Sequence, residues 1–170
     1  MSVLNFLTLL TNGTQQLVSA IQSSAGAGDA NKVIATGSDG KLDTTLLPTG
    51  VGPDTVTIEA SENLAAGDFV NIHDATGAKV RKADASNTRP ANGFVVASVT
   101  SGQNATVYLS GRNTELTGLT PGTRYYLSDT TAGAATATAP TDSGDLVQYL
   151  GTADSTTSLV FEDNGYISIA

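Results

Sequence analysis

The chain contains no cysteine and no tryptophan, and only one methionine, four phenylalanines and five tyrosines in 170 residues. The missing cysteine excludes disulfides and thiolate metal centres, and it leaves the redox compartment without a marker. Basic residues are also scarce: eight Lys and Arg stand against 16 Asp and Glu, a formal charge of −8. Nucleic-acid binding requires clustered cations to neutralise phosphates, so no nucleic-acid partner is expected. Only Lys79, Arg81, Lys82 and Arg89 fall close together, which reads as a solvated strand face. No apolar run approaches the roughly 20 residues of a membrane helix, and no membrane partner is expected. The apolar stretch 3–10 lacks the basic flank of a secretory signal and runs into Thr11-Asn12-Gly13, so it reads as mature structure.

The chain is filled instead by small residues. Thr, Ala, Gly and Ser supply 80 of the 170 positions. Such side chains bury little area, and at roughly 25 cal/mol per Å² a core built from them holds a thin margin over chain entropy. A protein stabilised partly by partners is the first expectation.

Composition divides the chain into residues 1–24, 25–53 and 54–170. Over 2–24, Val3, Leu7, Leu10, Thr14, Leu17, Ile21 and Ser24 recur at alternating spacings of four and three. That spacing predicts an amphipathic α-helix with a heptad seam. Leu4, Phe6, Leu9 and Val18 widen its apolar surface, while Gly13 weakens its middle. Residues 1–28 carry no charged side chain. Such a helix must pack against copies of itself, against its own domain or against another protein. Residues 25–53 hold Gly26, Gly28, Gly37, Gly40, Gly50, Gly52, Pro48 and Pro53, which leave room only for an extended arm. Within it, Leu42, Leu46 and Leu47 have apolar side chains to lay along a neighbouring surface.

Residues 54–170 read as β. Alternation is clear in Val56-Thr57-Ile58 and Val70-Asn71-Ile72, and Gly-, Asp- and Asn-rich turns recur throughout. The prediction is a small antiparallel β-barrel or sandwich of about eight to ten short strands. An internal echo points to duplication: Gly67-Asp68-Phe69-Val70-Asn71-Ile72-His73-Asp74 is matched by Gly122-Thr123-Arg124-Tyr125-Tyr126-Leu127-Ser128-Asp129.

Reactive constellations are absent from the sequence pattern. The single histidine, His73, adjoins Asp74, but neighbours on a strand point to opposite faces, so it reads as a surface residue before a turn. No Gly-x-Ser-x-Gly, phosphate-loop or His-Glu-x-x-His pattern occurs. Glu162-Asp163-Asn164-Gly165 offers oxygen ligands in a turn but not a full calcium loop. Tyr125 and Tyr126 alternate faces, so at most one is outward. No catalytic residue, cofactor or metal is expected.

The run 28–48, from Gly28-Asp29-Ala30-Asn31 through Gly37-Ser38-Asp39-Gly40-Lys41-Leu42-Asp43 to Leu47-Pro48, resembles a segment common in tailed-bacteriophage structural proteins. So do Ala65-Ala66-Gly67-Asp68-Phe69-Val70-Asn71-Ile72 with Val80-Arg81-Lys82-Ala83-Asp84-Ala85, and Gly118-Leu119-Thr120-Pro121-Gly122-Thr123-Arg124-Tyr125-Tyr126-Leu127-Ser128. The resemblance implies a virion accessory component: a trimeric, β-structured, non-enzymatic capsid decoration (cement) protein or a head or tail fibre subunit. The leading expectation is a homotrimer on the outer capsid surface, assembled in the host cytoplasm. Val3, Leu7, Leu10, Leu17 and Ile21, with Leu42, Leu46 and Leu47, would form its interface with its own copies and with the major capsid protein. The alternatives are a fibre or baseplate adaptor trimer, bound to tail or baseplate protein, and a small carbohydrate-binding domain, which the missing tryptophan disfavours.

Overall fold

The computed structural model describes residues 5–9, 12–48 and 51–170, and the side chains of Asn5 and Leu9 are not described. The chain is mainly β and divides into two compact units, Met1–Gly52 and Pro53–Ala170.

The first unit corrects the helix expected over 2–24. Its described residues form an antiparallel hairpin of β1 (Asn5–Leu9) and β2 (Gln15–Ser19), with Phe6 opposite Val18, Leu7 opposite Leu17 and Thr8 opposite Gln16. The reason lies at Asn12-Gly13, a dipeptide that closes hairpins because it tolerates positive φ. Gly13 takes a φ of 81°, and the Asn12 side chain accepts a hydrogen bond from the Thr14 amide at 3.0 Å. A heptad seam would have to carry that glycine in mid-helix. The turn chemistry outweighs the apolar spacing, and Thr8 and Val18 add the β-branched character of strands.

The remainder of this unit is held by polar contacts. Ile21 bridges Ile34 in parallel, through amide bonds from Ile21 to Val33 and from Ala35 to Ile21, both 2.9 Å. The Gln22 side chain donates to Thr36 O at 2.7 Å, and the Ser24 amide to Thr45 Oγ1 at 2.8 Å. Short 3-10 turns occupy Ala27–Asp29 and Thr44–Leu46. Among the described residues of the unit, Ala35 alone is buried.

The second unit begins with five strands: β3 (Thr55–Ala60), β4 (Phe69–Asp74), β5 (Ala78–Lys82), β6 (Gly93–Phe94) and β7 (Asn104–Tyr108). They are hydrogen-bonded in a closed ring, β3-β5-β4-β6-β7. Every pairing is antiparallel except β3 with β5, where Glu59 lies beside Lys79 and Ala60 beside Val80. Ile58, Val70, Val80, Val95 and Val107 belong to one buried cluster. The strand period of two sends Phe69, the neighbour of Val70, into a different cluster with Phe94.

The strands that follow are β8 (Gly111–Asn113), β9 (Arg124–Leu127), β10 (Ala135–Thr136), β11 (Leu146–Val147), β12 (Tyr149–Ala153), β13 (Leu159–Phe161) and β14 (Ile167–Ser168), of which β9, β11, β12 and β13 share that second cluster. Five of them form an antiparallel sheet ordered β10-β9-β12-β13-β8, and β11 pairs with β14. The order repeats that of the ring, where β5-β4-β6-β7-β3 occupy the same successive places. The ring closes on itself; among the described residues no ladder joins β8 to β10.

Phe69, Phe94 and Phe161 meet between the two sheets at centroid distances of 5.6 to 6.4 Å, and Phe94 stacks on Tyr108 at 5.4 Å. Tilted and stacked geometries at such distances add to the gain from burial itself. Buried amides tie the halves together. Gln148 donates to Ala91 O at 2.8 Å and accepts from Ala91 N at 2.7 Å. Asn113 donates to Gly67 O at 2.9 Å.

Candidate functional site

The described members of the predicted contact set do not form one surface. Val3 and Leu10 lie outside the described residues. Leu7 and Leu17 face each other across the hairpin and stand 63% and 62% exposed. Both belong to the same face of a two-stranded ribbon that has no third strand among the described residues. Ile21 and Leu46 are half-buried and come together, with Ile34, in a surface pocket of about 290 Å³. Leu42 is 50% exposed and borders a different hollow beside Gln22 and Asp43, while Leu47 is half-buried.

The carboxylates of this unit are committed to local bonds. Asp29 accepts from Lys32 Nζ and from the Ala25 amide, both at 2.6 Å. The Lys32 bond first, and the amide second, hold its carboxyl below the usual range. Asp43 accepts from Thr45 Oγ1 at 2.6 Å and Thr45 N at 2.9 Å, and these bonds lower its pKa in that order. The unit thus presents uncharged apolar side chains on backbone that polar contacts position.

The remaining sequence candidates resolve as local structure. His73 Nε2 lies 3.0 Å from Ser61 Oγ, but Ser61 also donates to Val80 O, and Asp74 accepts from the Gly77 amide at 3.0 Å within its turn. The acid therefore does not orient the imidazole. The basic group is dispersed into partners: Lys79 with Glu59 at 2.5 Å, Lys82 with Asp68 at 3.2 Å, and Arg81 Nε with Asn71 Oδ1 at 3.0 Å. Asp163 accepts from the Gly165 amide at 3.1 Å, as a turn residue does. Among the described residues no three His, Asp or Glu side chains are placed to hold a metal ion. Asp145 sits in an acidic neighbourhood. Desolvation, followed by the charges of Asp129, Asp142 and Asp84, raises its pKa.

A second surface escaped the sequence reading. On the open sheet, β12 carries a bulge: Tyr149 pairs with Tyr126, yet Gly151 pairs with Tyr125. Leu150 is the extra residue and is buried in the core with Ala153. The bulge puts Tyr149 and Thr152 on the same side, where the phenol oxygen lies 2.7 Å from Thr152 Oγ1. Tyr126 meets Tyr149 edge-on at 6.0 Å, and the Arg124 guanidinium sits 6.0 Å from the centre of the Tyr149 ring. Gly151 makes this possible with a φ of 150°, and any Cβ there would collide with Val160 O.

Comparison with known protein families, with curated proteins and with solved structures gives no match.

Proposed function

We propose that the chain is a structural subunit of a tailed-bacteriophage virion, a capsid decoration homotrimer whose first unit docks on the major capsid protein and on its own copies at the outer surface of the head. No catalytic step, cofactor or metal is assigned to it. The observation that carries the reading is the contrast in burial: the first unit exposes Leu7, Leu17, Ile34, Leu42 and Val51 and buries Ala35 alone among its described residues. A two-stranded ribbon of this length is marginal in water by itself. With no charge over residues 1–28, association with like surfaces meets no repulsion. The resemblance of 28–48 to phage structural segments supplies the class of assembly. In the second unit we read one five-stranded plan used twice, once as a small closed barrel and once as an open sheet.

Purified particles and purified chain test this together. Hundreds of copies per virion fit a capsid lattice, whereas a handful favour the fibre or baseplate adaptor. Light scattering of the isolated chain is expected to give a trimer mass, and Leu7→Asp with Leu17→Asp is expected to reduce it to monomer. A trimer that survives the double substitution removes the hairpin from the interface.

A further inference from the structure

We propose that the outer face of the open sheet is a saccharide-binding site that holds a single pyranose ring of a neutral glycan beside Tyr149. A hollow of about 210 Å³ lies there, bounded by Tyr149, Gly151, Thr152, Val160 and Glu162. The proposal does not rest on the virion reading and goes beyond it.

The chemistry matches a sugar at each point. The C–H face of a pyranose is slightly positive and packs on the negative face of an aromatic ring. Tyr149 is held for that purpose by three neighbours: Tyr126 at its edge, Arg124 over the ring and Thr152 at its hydroxyl. A ring fixed in advance loses little entropy when a ligand arrives. Sugar hydroxyls need acceptors and donors within reach, and the exposed Glu162 carboxylate and the Thr152 hydroxyl provide both. The site exists because of the β12 bulge, a device that re-aims side chains and that recurs beside functional sites. Without it, Tyr149 and Thr152 would point to opposite faces of the sheet.

Charge narrows the ligand. Glu162 is the one charged side chain that lines the hollow, while Arg124 is turned to the Tyr149 ring and Arg112 to Asp154 at 2.6 Å. An acidic sugar in the hollow would lie against the Glu162 carboxylate, and a neutral one can hydrogen-bond to it. A protein partner is the poorer occupant, because Val160 is the one exposed large apolar side chain on the rim and stable interfaces have an apolar, aromatic centre cleared of charge.

The test is saturation-transfer NMR and calorimetry on the full chain. The probes are the methyl glycosides of glucose, galactose, mannose and N-acetylglucosamine, with their β-linked disaccharides. Binding of at least one probe in the millimolar range is expected. Tyr149→Ala should weaken it roughly tenfold, and Glu162→Gln roughly fivefold, while Tyr149→Phe, which keeps the ring, should weaken it less than Tyr149→Ala. Val160→Glu, at the exposed rim, should block the hollow and serves if Tyr149→Ala does not fold. The proposal is overturned if no probe shows saturation transfer, or if Val160→Glu and Tyr149→Ala bind as the parent does. It is also overturned if either variant changes the oligomer mass, which would mark the face as a subunit contact.

Discussion

The two units draw on the same short list of small residues, yet they place their large side chains in opposite ways. From Pro53 onward, Phe69, Phe94, Phe161, Leu127, Leu146, Leu150 and Leu159 are almost completely buried, and Asn113 and Gln148 are buried with hydrogen-bond partners. Before Gly52, Leu7, Leu17 and Leu42 stand in solvent, and the contacts that order the backbone are amide, hydroxyl and carboxylate bonds. Hydrogen bonds between exposed groups add little net stability, because water competes for both partners. The second unit thus contains the source of its own stability, while the first is shaped but not sealed. A small-residue composition does not by itself mean a weak fold; what matters is where the few large residues go.

The sharpest way to break this contrast is to remove one large side chain from each unit. Phe161→Ala opens a cavity where three phenylalanines meet and should cost about 3–5 kcal/mol in urea unfolding. Leu42→Ala should change the isolated chain by less than about 0.5 kcal/mol. Equal losses would mean that Leu42 is packed in a core after all. Gln148→Ala comes next. It leaves the amide and carbonyl of Ala91 without partners inside the protein, at a cost of about 2–3 kcal/mol. A loss that small substitutions on the flanking strands β11 and β12 reproduce would show that the ring and the open sheet are not joined through this amide.

Gly151→Ala sharpens the comparison within the second unit. Both its φ of 150° and the Val160 carbonyl oppose a methyl group, for a loss of about 1–3 kcal/mol. Gly144→Ala, at a φ of 94° with open space around it, meets strain alone and should lose about 1 kcal/mol. Thermal unfolding of the two variants side by side reads the difference. If they fall together, the bulge relaxes at no cost and does not lock Tyr149.

Much of the second unit was legible residue by residue. Val56-Thr57-Ile58 alternates with one face of β3 turned inward, whereas β4 is buried on both faces at Phe69, Val70 and Asn71, and the echo between 67–74 and 122–129 falls on β4 and β9, which hold the same place in their sheets. The parallel closure of β3 on β5 was not legible, since it joins segments through pairing that no local pattern encodes. The hairpin was misread because Leu7 and Leu17 satisfy both a heptad and a period of two; Asn12-Gly13 was the signal that separated them. The tyrosine surface was hidden for a related reason. One extra residue in a strand reverses every later side chain, and the bulge at Leu150 is set by backbone contacts, not by pattern. Nothing in a run of leucines states what will cover it.

The smallest effect distinguishes the units by the sign of their response to acid. The pKa of Asp145 in the second unit is raised in the folded state by desolvation and by neighbouring carboxylates. Its folded form binds a proton more tightly than its unfolded form, so its contribution is fully favourable below the ordinary aspartate value, about 3.9, and is lost as pH rises through the higher folded value. At neutral pH the charged group is a standing cost, and Asp145→Asn should raise the melting temperature there, with the gain shrinking as pH falls toward 4. Asp43 in the first unit has the opposite sign. The Thr45 hydroxyl and amide lower its pKa, so its contribution is present above the ordinary value and disappears as pH falls through the folded one. Asp43→Asn should therefore loosen the Thr44–Leu46 turn at neutral pH, read by amide exchange at Thr45, and matter least in acid. If both substitutions responded to pH in the same direction, the carboxylates would not divide along the boundary that burial draws between the units.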